Sequence, residues 1–179
     1  SSHMSKLWSG RDDAGKQIPS PPGSSLRLEL HFRNGGPSIS GMNHTALEDK
    51  LGYRFNNPDL LVQALTHPST DSKPETRRAY ERLEFLGDAI LQLAVTQYLY
   101  HHMPQSPEGE LTQLRARTVS RANLGKYGFI LGLDKHIALG KGEERAGGRS
   151  KNSIIANTFE SVFGAMSLDS NYETAKAVA

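Results

Sequence analysis

Two short stretches carry most of the residues that are able to do chemistry. "ERLEFLGD" contains Glu81, Glu84 and Asp88, and "ANTFE" contains Asn157 and Glu160. Carboxylate and amide oxygens are the donors that hard divalent cations such as Mg²⁺ prefer. Carboxylates that lie close together also repel each other, and a bound cation removes that repulsion. The two stretches are therefore candidates for a metal-assisted active site.

The spacing of the first stretch places its acids on one side of a helix. At about 100° per residue, with Glu81 at 0°, Glu84 falls at about −60°, Asp88 at about −20° and Gln92 at about +20°. Apolar residues cover the opposite side: Leu83, Leu86, Ile90 and Leu93. Such a helix is apolar nearly all round, so we expect neighbours to bury it and the acidic stripe to face a groove or a partner.

A second helix has the same construction. With Asn157 at 0°, Glu160 lies at about −60°, Ser161 at about +40° and Gly164 at about −20°, and large apolar residues fill the other directions. Gly164 lacks a side chain, which would let another helix approach this stripe closely.

The periodicity leaves two explanations open. Either Glu84, Asp88, Asn157 and Glu160 come together as one set of oxygen ligands, or each stripe is the solvated face of an amphipathic helix. Solvated acidic stripes are common on helices, so the spacing alone favours the second explanation.

The elements that must position these residues are helices. Helical periodicity runs through residues 43–179, and the first acidic stripe belongs to a long helix at about residues 78–100, after a polar loop at 70–77. A Gly-rich, charged loop covers 138–152. N-caps are expected at Thr45 (with Glu48 as its capping-box partner), Asn57, Ser120 and Ser153. No convincing strand pattern occurs in this segment, and the predicted fold class is all-α.

The first 41 residues differ in composition from the rest. Residues 1–4, "SSHM", resemble the remnant of a cleaved expression tag. Residues 5–41 are rich in Gly, Ser and Pro and are interpreted as a flexible extension, although "LRLELHF" (26–32) alternates like a strand.

Composition excludes several classes of function. The chain of 179 residues has no cysteine, which rules out disulfides, thiolate zinc sites and a cysteine nucleophile, and fits a reducing, cytoplasmic location. No apolar run reaches the roughly 20 residues that a membrane span needs. The formal net charge is +2, which fits a nucleic-acid partner without indicating one.

A longer sequence match favours the joint set of ligands over the solvated stripes. "ERLEFLGDAIL" resembles the signature of the ribonuclease III family, and "LGYRFNNPDLLVQALTHPS", "EGELTQLRARTVS" and "IIANTFESVFGAMSLD" follow the same family in order and spacing. The resemblance covers about residues 43–179 and implies the ribonuclease III endonuclease-domain fold as a homodimer. It also implies a Mg²⁺-dependent endoribonuclease that cuts double-stranded RNA in rRNA and mRNA processing. The implied products carry a 5′-phosphate, a 3′-hydroxyl and a short 3′ overhang.

The resemblance also assigns roles to individual residues. It implies that Asp88 and Glu160 are catalytic and that the metal ligands are Glu84, Asp88, Asn157 and Glu160. Mn²⁺ is expected to substitute for Mg²⁺, and no small-molecule cofactor is expected. Supporting acids of the RNA-cutting valley are Glu81 and Glu108, and the dimer contact is Phe85.

Asn157 departs from the family pattern, in which this position is usually Asp. An amide keeps a carbonyl oxygen but loses the negative charge and an acceptor. Two interpretations stay open: an active variant with a weaker electrostatic hold on the ion, or a catalytically weak or inactive RNA-binding or dimerisation module of the same fold.

RNA contacts are predicted in the Gly-rich loop that precedes the second acidic helix. The candidate residues are Lys141, Arg145, Arg149 and Lys151. They would meet phosphates near the site, although a charged Gly-rich loop is as often simply solvated. We expect no double-stranded-RNA-binding domain after the nuclease domain, a truncated chain and weak RNA affinity.

The histidines are not assigned to the chemistry. His67 and Ser69 in "THPST" are interpreted as part of a turn fixed by Pro68, rather than as members of a catalytic triad. His101 and His102 have no ligand-spaced partner and are expected to mark the polar end of the long helix.

Overall fold

A computed structural model describes residues 44–71 and 73–179. The tag remnant and the extension predicted for residues 1–41 lie outside these ranges. The described residues form nine α-helices: α1 (Thr45–Leu51), α2 (Pro58–Leu65), α3 (Pro74–His102), α4 (Glu108–Thr118), α5 (Arg121–Leu131), α6 (Leu133–His136), α7 (Lys141–Arg145), α8 (Asn152–Asp169) and α9 (Tyr172–Val178). Within these ranges there is no strand, only one isolated bridge between Thr66 and Ala138. The all-α prediction is confirmed.

Two of the predicted helix starts are confirmed. The side chain of Asn57 accepts a hydrogen bond from the Asp59 amide at 3.1 Å, and Pro58 occupies the first turn of α2. The Ser120 hydroxyl accepts from the Asn123 amide at 3.4 Å at the start of α5. Such caps satisfy amides that have no partner within the helix.

The capping box predicted at Thr45 is wrong. The helix α1 starts at Thr45 itself, after His44, without a side-chain cap. The Glu48 carboxylate turns away and accepts from the Phe55 amide at 2.9 Å and from the Arg54 guanidinium at 3.1 Å. These partners lie in the connection to α2, so tertiary contacts take the acceptor that the capping box needed.

Two other helix starts differ from the prediction by two and about four residues. The helix α8 begins at Asn152 without a side-chain cap, so Ser153 is inside it. The long helix α3 begins at Pro74, in the middle of the predicted polar loop. Proline is favourable in a first helical turn because its missing N–H has no partner there in any case. The Gly-rich loop contains the short helix α7.

The core is organised around α8. Most of its apolar side chains are almost completely buried, Val162, Phe163 and Met166 among them, and Leu168 near its end is exposed. The helices α2, α3 and α5 pack around it. Each fully buried side chain of this size contributes roughly 1.5–3 kcal/mol relative to exposure. A central helix of this kind leaves few positions open to solvent, and the partly exposed ones include Asn157 and Glu160.

The crossing of α3 and α8 depends on two glycines. A methyl group added to Gly87 would overlap the main-chain carbonyl oxygen of Glu160 and lie 2.5 Å from the carbonyl carbon. One added to Gly164 would overlap the Leu83 carbonyl oxygen and lie 3.2 Å from the Gly87 nitrogen. The close approach predicted from Gly164 is confirmed. Because the two backbones touch, the acidic stripe of α3 lies directly beside the polar stripe of α8.

The end of α8 is anchored by Asp169. Its carboxylate accepts hydrogen bonds from the Tyr53 hydroxyl at 2.6 Å and from the amides of Asn56 and Asn57 at 2.7 and 2.8 Å. These groups belong to the connection between α1 and α2. The anchor therefore fixes that connection against the central helix. None of the helices in the described part of the chain is long and apolar enough to cross a membrane.

Candidate active site

Glu84 lies half-buried on α3 among charged and polar groups from three helices. Burial raises the pKa of its carboxyl group, and the nearby carboxylates of Glu81 and Asp88 act in the same direction. Arg121 at the start of α5 opposes this, and so does a hydrogen bond from the Asn157 side chain on α8. A hydrogen bond that lowers a carboxyl pKa favours the ionised form, so the amide N–H of Asn157 is the donor.

Glu160 has the most strongly perturbed carboxyl group of the site. Burial and the negative charges of Glu84 and Asp88 raise its pKa from 4.5 to about 7, and Arg121 partly offsets them. Three carboxyl groups on two helices are therefore close enough to repel one another. The carboxyl groups of Glu84 and Glu160 are therefore partly buried and close enough to interact, which favours a joint site over two separately solvated stripes.

Asp88 receives support from its own helix. The Gln92 side-chain amide donates to a carboxylate oxygen of Asp88 at 2.7 Å. The two residues are four positions apart and share the stripe that the periodicity predicted. This bond orients Asp88 and leaves its second oxygen available for another partner.

The donor set fits a hard divalent cation in its chemistry. It consists of three carboxylates and one amide oxygen, and two of the carboxyl pKa values are raised, mainly by burial and further by the neighbouring negative charges. A cation between them would remove this repulsion. In the described ranges, no three Asp, Glu, His or Cys side chains already stand at metal-holding distance from one another. Mg²⁺ tolerates this, because it is usually bound through one or two carboxylates and keeps several waters.

The two predicted supporting acids differ in position. Glu81 is exposed, lies 3.9 Å from the Arg77 guanidinium and is close enough to Glu84 to affect its pKa. Glu108 is exposed at the start of α4, where its carboxylate accepts from the Thr112 hydroxyl at 2.8 Å. No contact joins Glu108 to the cluster of Glu84, Asp88 and Glu160 in the single chain.

Phe85 does not pack into its own subunit. Its side chain is 80% exposed, and Leu93 on the same helix is 46% exposed. The expectation of a helix buried by neighbours all round is therefore wrong along this edge, while Leu83 and Ile90 on the opposite side are buried. An aromatic ring this exposed beside the acidic stripe is available to a partner surface.

Half of the predicted RNA-binding residues brace their own loop. The Arg149 guanidinium donates to the main-chain carbonyls of Asp134 and Ile137 at 2.6 and 2.8 Å and to Glu144 at 2.8 Å. The Lys151 ammonium lies 2.6 Å from Glu143. By contrast, Lys141 and Arg145 are exposed on α7.

The predicted turn after α2 is confirmed. The Nδ1 atom of His67 lies 2.8 Å from the Ser69 hydroxyl, whose oxygen also accepts from the Gly140 amide at 3.0 Å. These bonds join the turn to the segment before α7. His102 ends α3, where its ring stacks on Tyr98.

Two participants were missed at the sequence level. Arg121 acts on both Glu84 and Glu160, yet it lies more than 30 positions from either in the sequence. No role in helix packing was predicted for Gly87, although it directly precedes Asp88 in the sequence. A small residue beside a catalytic candidate is a usable signal for close helix packing.

The fold and the site together define a class of protein: an all-α domain in which two helices cross at glycines and place the carboxylates of Glu84 and Asp88 near that of Glu160. The model of the family described as "Ribonuclease-III-like" matches residues 57–179. The chain belongs to this family.

Individual relatives agree with this assignment. Ribonuclease 3 from Carboxydothermus hydrogenoformans is 46% identical over 135 residues, which are 74% of this chain and 57% of the relative. Ribonuclease 3 from Syntrophotalea carbinolica is 44% identical over 134 residues, 74% of this chain and 58% of the relative. The chain thus spans a little over half the length of these curated relatives.

A solved structure matches over nearly its whole length. The nuclease domain of ribonuclease III from Campylobacter jejuni is 39% identical and superposes with a TM-score of 0.72. The match covers 76% of this chain and 92% of that one. The predicted ribonuclease III endonuclease-domain fold is confirmed.

Proposed function

We propose that the chain is the nuclease part of an endoribonuclease that hydrolyses phosphodiester bonds of double-stranded RNA. The observation that carries the proposal is the position of Glu84, Asp88 and Glu160 at the crossing of α3 and α8, where burial, and to a smaller extent the nearby carboxylates, raise the pKa of Glu84 and Glu160. Membership of the ribonuclease III family supports the choice of substrate. The proposed setting is rRNA and mRNA processing in the cytoplasm.

The proposed cofactor is Mg²⁺, with Mn²⁺ able to replace it. Asp88 and Glu160 would hold the ion, with Glu84 and Asn157 acting directly or through bound water. When bound, the ion would polarise a phosphoryl oxygen and lower the pKa of the attacking water. Attack of water on the phosphorus with cleavage of the bond between phosphorus and the 3′-oxygen would leave the 5′-phosphate and 3′-hydroxyl ends that the family resemblance implies.

The side chains of this protein have three tasks in that reaction. Gln92 orients Asp88 through its hydrogen bond, and the side-chain amide of Asn157 partly offsets the raised pKa of Glu84. Arg121 provides a positive charge beside the carboxylates before RNA arrives. Because Glu160 has a pKa of about 7, it can release its proton as the ion binds at neutral pH.

Double-strand cleavage further requires two sites, and we propose that a homodimer supplies them. The exposed Phe85 ring next to the acidic stripe supports this proposal, since insertion into a partner would bury it. Two sites across one interface would cut both strands and leave the short 3′ overhang. Sedimentation of the purified protein at micromolar concentration tests it, and a strictly monomeric species would contradict it.

RNA contacts of the basic loop are proposed at Lys141 and Arg145, whose side chains are exposed. Arg149 and Lys151 would act at the same face only by exchanging their present partners for phosphates. These residues would contact the backbone rather than bases, because duplex RNA is recognised mainly through phosphates and 2′-hydroxyls.

Cleavage of a long RNA duplex tests the proposed activity directly. With Mg²⁺ we expect shortened duplexes with 5′-phosphate ends, and with a chelator no cleavage. Asp88→Asn should lower the rate by about 100-fold or more, because several kcal/mol of metal-dependent stabilisation is lost. An absence of Mg²⁺-dependent cleavage at high protein concentration, in a protein that still binds duplex RNA, would favour the inactive module instead.

A substitution at Asn157 distinguishes between the two interpretations, an active enzyme and a catalytically weak one. We expect Asn157→Asp to raise Mg²⁺ affinity about tenfold or more, because it adds a negative charge next to a divalent ion. The same variant should be less stable without metal, since the amide donor to Glu84 is replaced by a like charge. Calorimetric titration with Mg²⁺ and denaturant unfolding measure the two effects.

The matched control for this variant is Asn171→Asp. Asn171 caps α9 by accepting from the Thr174 amide at 2.9 Å, and Asp caps equally well. Equal Mg²⁺ affinity in wild type and Asn157→Asp would show that the amide already serves the ion as well as a carboxylate does.

A further inference from the structure

A pair of histidines joins the start of α1 to the end of α6. The Nδ1 atoms of His44 and His136 lie 3.3 Å apart, and the ring centroids are 5.5 Å apart. The His44 side chain is only 9% exposed. The two residues are 92 positions apart in the sequence. The contact therefore connects the first described helix to the segment that leads into the basic loop.

The facing Nδ1 atoms restrict the protonation of the pair. A hydrogen bond between them needs one N–H donor and one bare nitrogen as acceptor. The pair can thus exist with both rings neutral or with one ring charged. When both rings are charged, both Nδ1 atoms carry hydrogen and the contact becomes repulsive.

The second nitrogen of His44 makes even single protonation unfavourable. Its Nε2 atom is buried and has no hydrogen-bond partner among residues 44–71 and 73–179. If Nε2 is bare and Nδ1–H donates to His136, no N–H of this ring lacks an acceptor. An added proton on His44 then places an N–H at the buried Nε2 position, which is unfavourable without an acceptor.

Charged residues from the two helices nearly balance around the pair. The groups that act on one ring or the other are Glu48, Lys50, Asp134 and Lys135. Two are acidic and two are basic. Burial is the largest influence on both rings and lowers the pKa of each, and the mutual effect of the two rings lowers that of His44 further.

We propose that His44 and His136 form a pH-sensitive clasp, which holds the start of α1 on α6 at neutral pH and opens when acid charges both rings. The opening is local, because Leu47 and Leu51 keep the rest of α1 in the core. The carbonyl of Asp134 in α6 also accepts from Arg149. The clasp thus lies one contact away from the brace of the basic loop.

The sign of the pH dependence follows from the protons bound. Since both rings have a pKa below the ordinary value of 6.5 in the closed state, the open state binds more protons. The closed state is therefore fully favoured above about pH 6.5 and loses population as the pH falls through the lowered pKa values.

Hydrogen exchange of the full chain tests the clasp. After correction for intrinsic rates, the amides of Leu47 and Glu48, which bond to the His44 carbonyl, and those of residues 133–136 should lose about 3- to 10-fold of their protection between pH 7.5 and pH 5, relative to α8. In His136→Gln the side-chain oxygen can still accept from His44 and cannot be charged, so only the burial of His44 still opposes its protonation and the pH-dependent loss should be smaller than in the wild type. His102→Gln, at the exposed end of α3, should show the full wild-type loss.

Two results would overturn the proposal. One is an unchanged protection ratio in the wild type, and the other is the same acid-induced loss in His136→Gln. If that variant does not fold, the ring resonances of the wild type decide. Coupled titration of His44 and His136 below pH 6.5 supports the clasp, whereas independent titration of both at ordinary values contradicts it.

Discussion

Replacement of Gly87 by Ala should destabilise the protein by about 3 kcal/mol or more and abolish metal binding. The added methyl group would overlap the Glu160 carbonyl oxygen and approach the Gly164 nitrogen to 3.0 Å. Both neighbours are main-chain atoms of a central helix, so no side chain can rotate away. The backbones of α3 and α8 must separate instead.

That separation moves the two halves of the site apart. Glu84 and Asp88 would travel with α3, while Asn157 and Glu160 would travel with α8. The pKa of Glu160 should then fall towards its ordinary value, because part of its elevation comes from the carboxylates on α3. Denaturant unfolding measures the stability, and calorimetric titration with Mg²⁺ measures the loss of the ion site.

A glycine in an open position provides the control. Gly109 lies in the first turn of α4, and a methyl group there would meet nothing within 4 Å. Gly109→Ala should therefore raise the free energy of unfolding by about 0.5–1 kcal/mol, as expected for a helical position. A loss below about 1 kcal/mol in Gly87→Ala would mean that the crossing is looser than the backbone contact indicates.

The sequence predicted the helices better than their ends. Period and local caps decide where a helix exists, and Asn57 and Ser120 cap as their residue types suggest. The prediction failed where a distant group competes for the same atom. Glu48 bonds to the Phe55 amide rather than to its own helix, and Asn152 reaches across to the Arg121 carbonyl. Propensity carries no information on such partners.

The candidate site shows the same division. A helical wheel correctly placed Glu84, Asp88 and Gln92 on one stripe, because that follows from spacing along a single helix. It did not decide between a solvated face and a joint site, which depends on how two helices cross. At the level of sequence, only the family resemblance predicted that the polar stripes of the two helices form one site. Helical periodicity could not predict that Arg121 lies near Glu84 and Glu160, because Arg121 belongs to a third helix.

Close packing and function are linked at this crossing. Gly87 and Gly164 allow α3 and α8 to approach, which places like charges together in a half-buried position. If the proposed ion binds here, such a site is less favourable for the fold without the cation than with it. The protein should therefore gain stability when the charge on Glu160 is removed, although it loses activity.

Glu160→Gln should show both effects. The pKa of Glu160 lies at about 7 in the folded chain against 4.5 for an ordinary glutamate. The folded state thus holds this proton more tightly than the unfolded state. The stabilisation of the folded wild type by this proton is complete below about pH 4.5 and is lost as the pH rises through 7. A neutral amide of the same shape avoids that loss.

The expected size can be bounded. At pH 8 without divalent ions, Glu160→Gln should raise the free energy of unfolding by about 1–3 kcal/mol, after allowance for partial solvent exposure. Near pH 4.5 the gain should be close to zero, because the wild-type carboxyl group is then protonated. Urea unfolding at the two pH values measures the difference, and Glu110→Gln on the exposed start of α4 should change stability by less than about 0.5 kcal/mol at both.

Bound Mg²⁺ should reverse the order of stability of the wild type and Glu160→Gln. Mg²⁺ should stabilise the wild type much more than Glu160→Gln, because only the wild type offers the third carboxylate. Cleavage of duplex RNA by the variant should fall by about 100-fold or more. A stability gain that is equal at both pH values would point to packing rather than charge. A variant that loses activity without any gain at pH 8 would show that repulsion among the carboxylates is already relieved without metal.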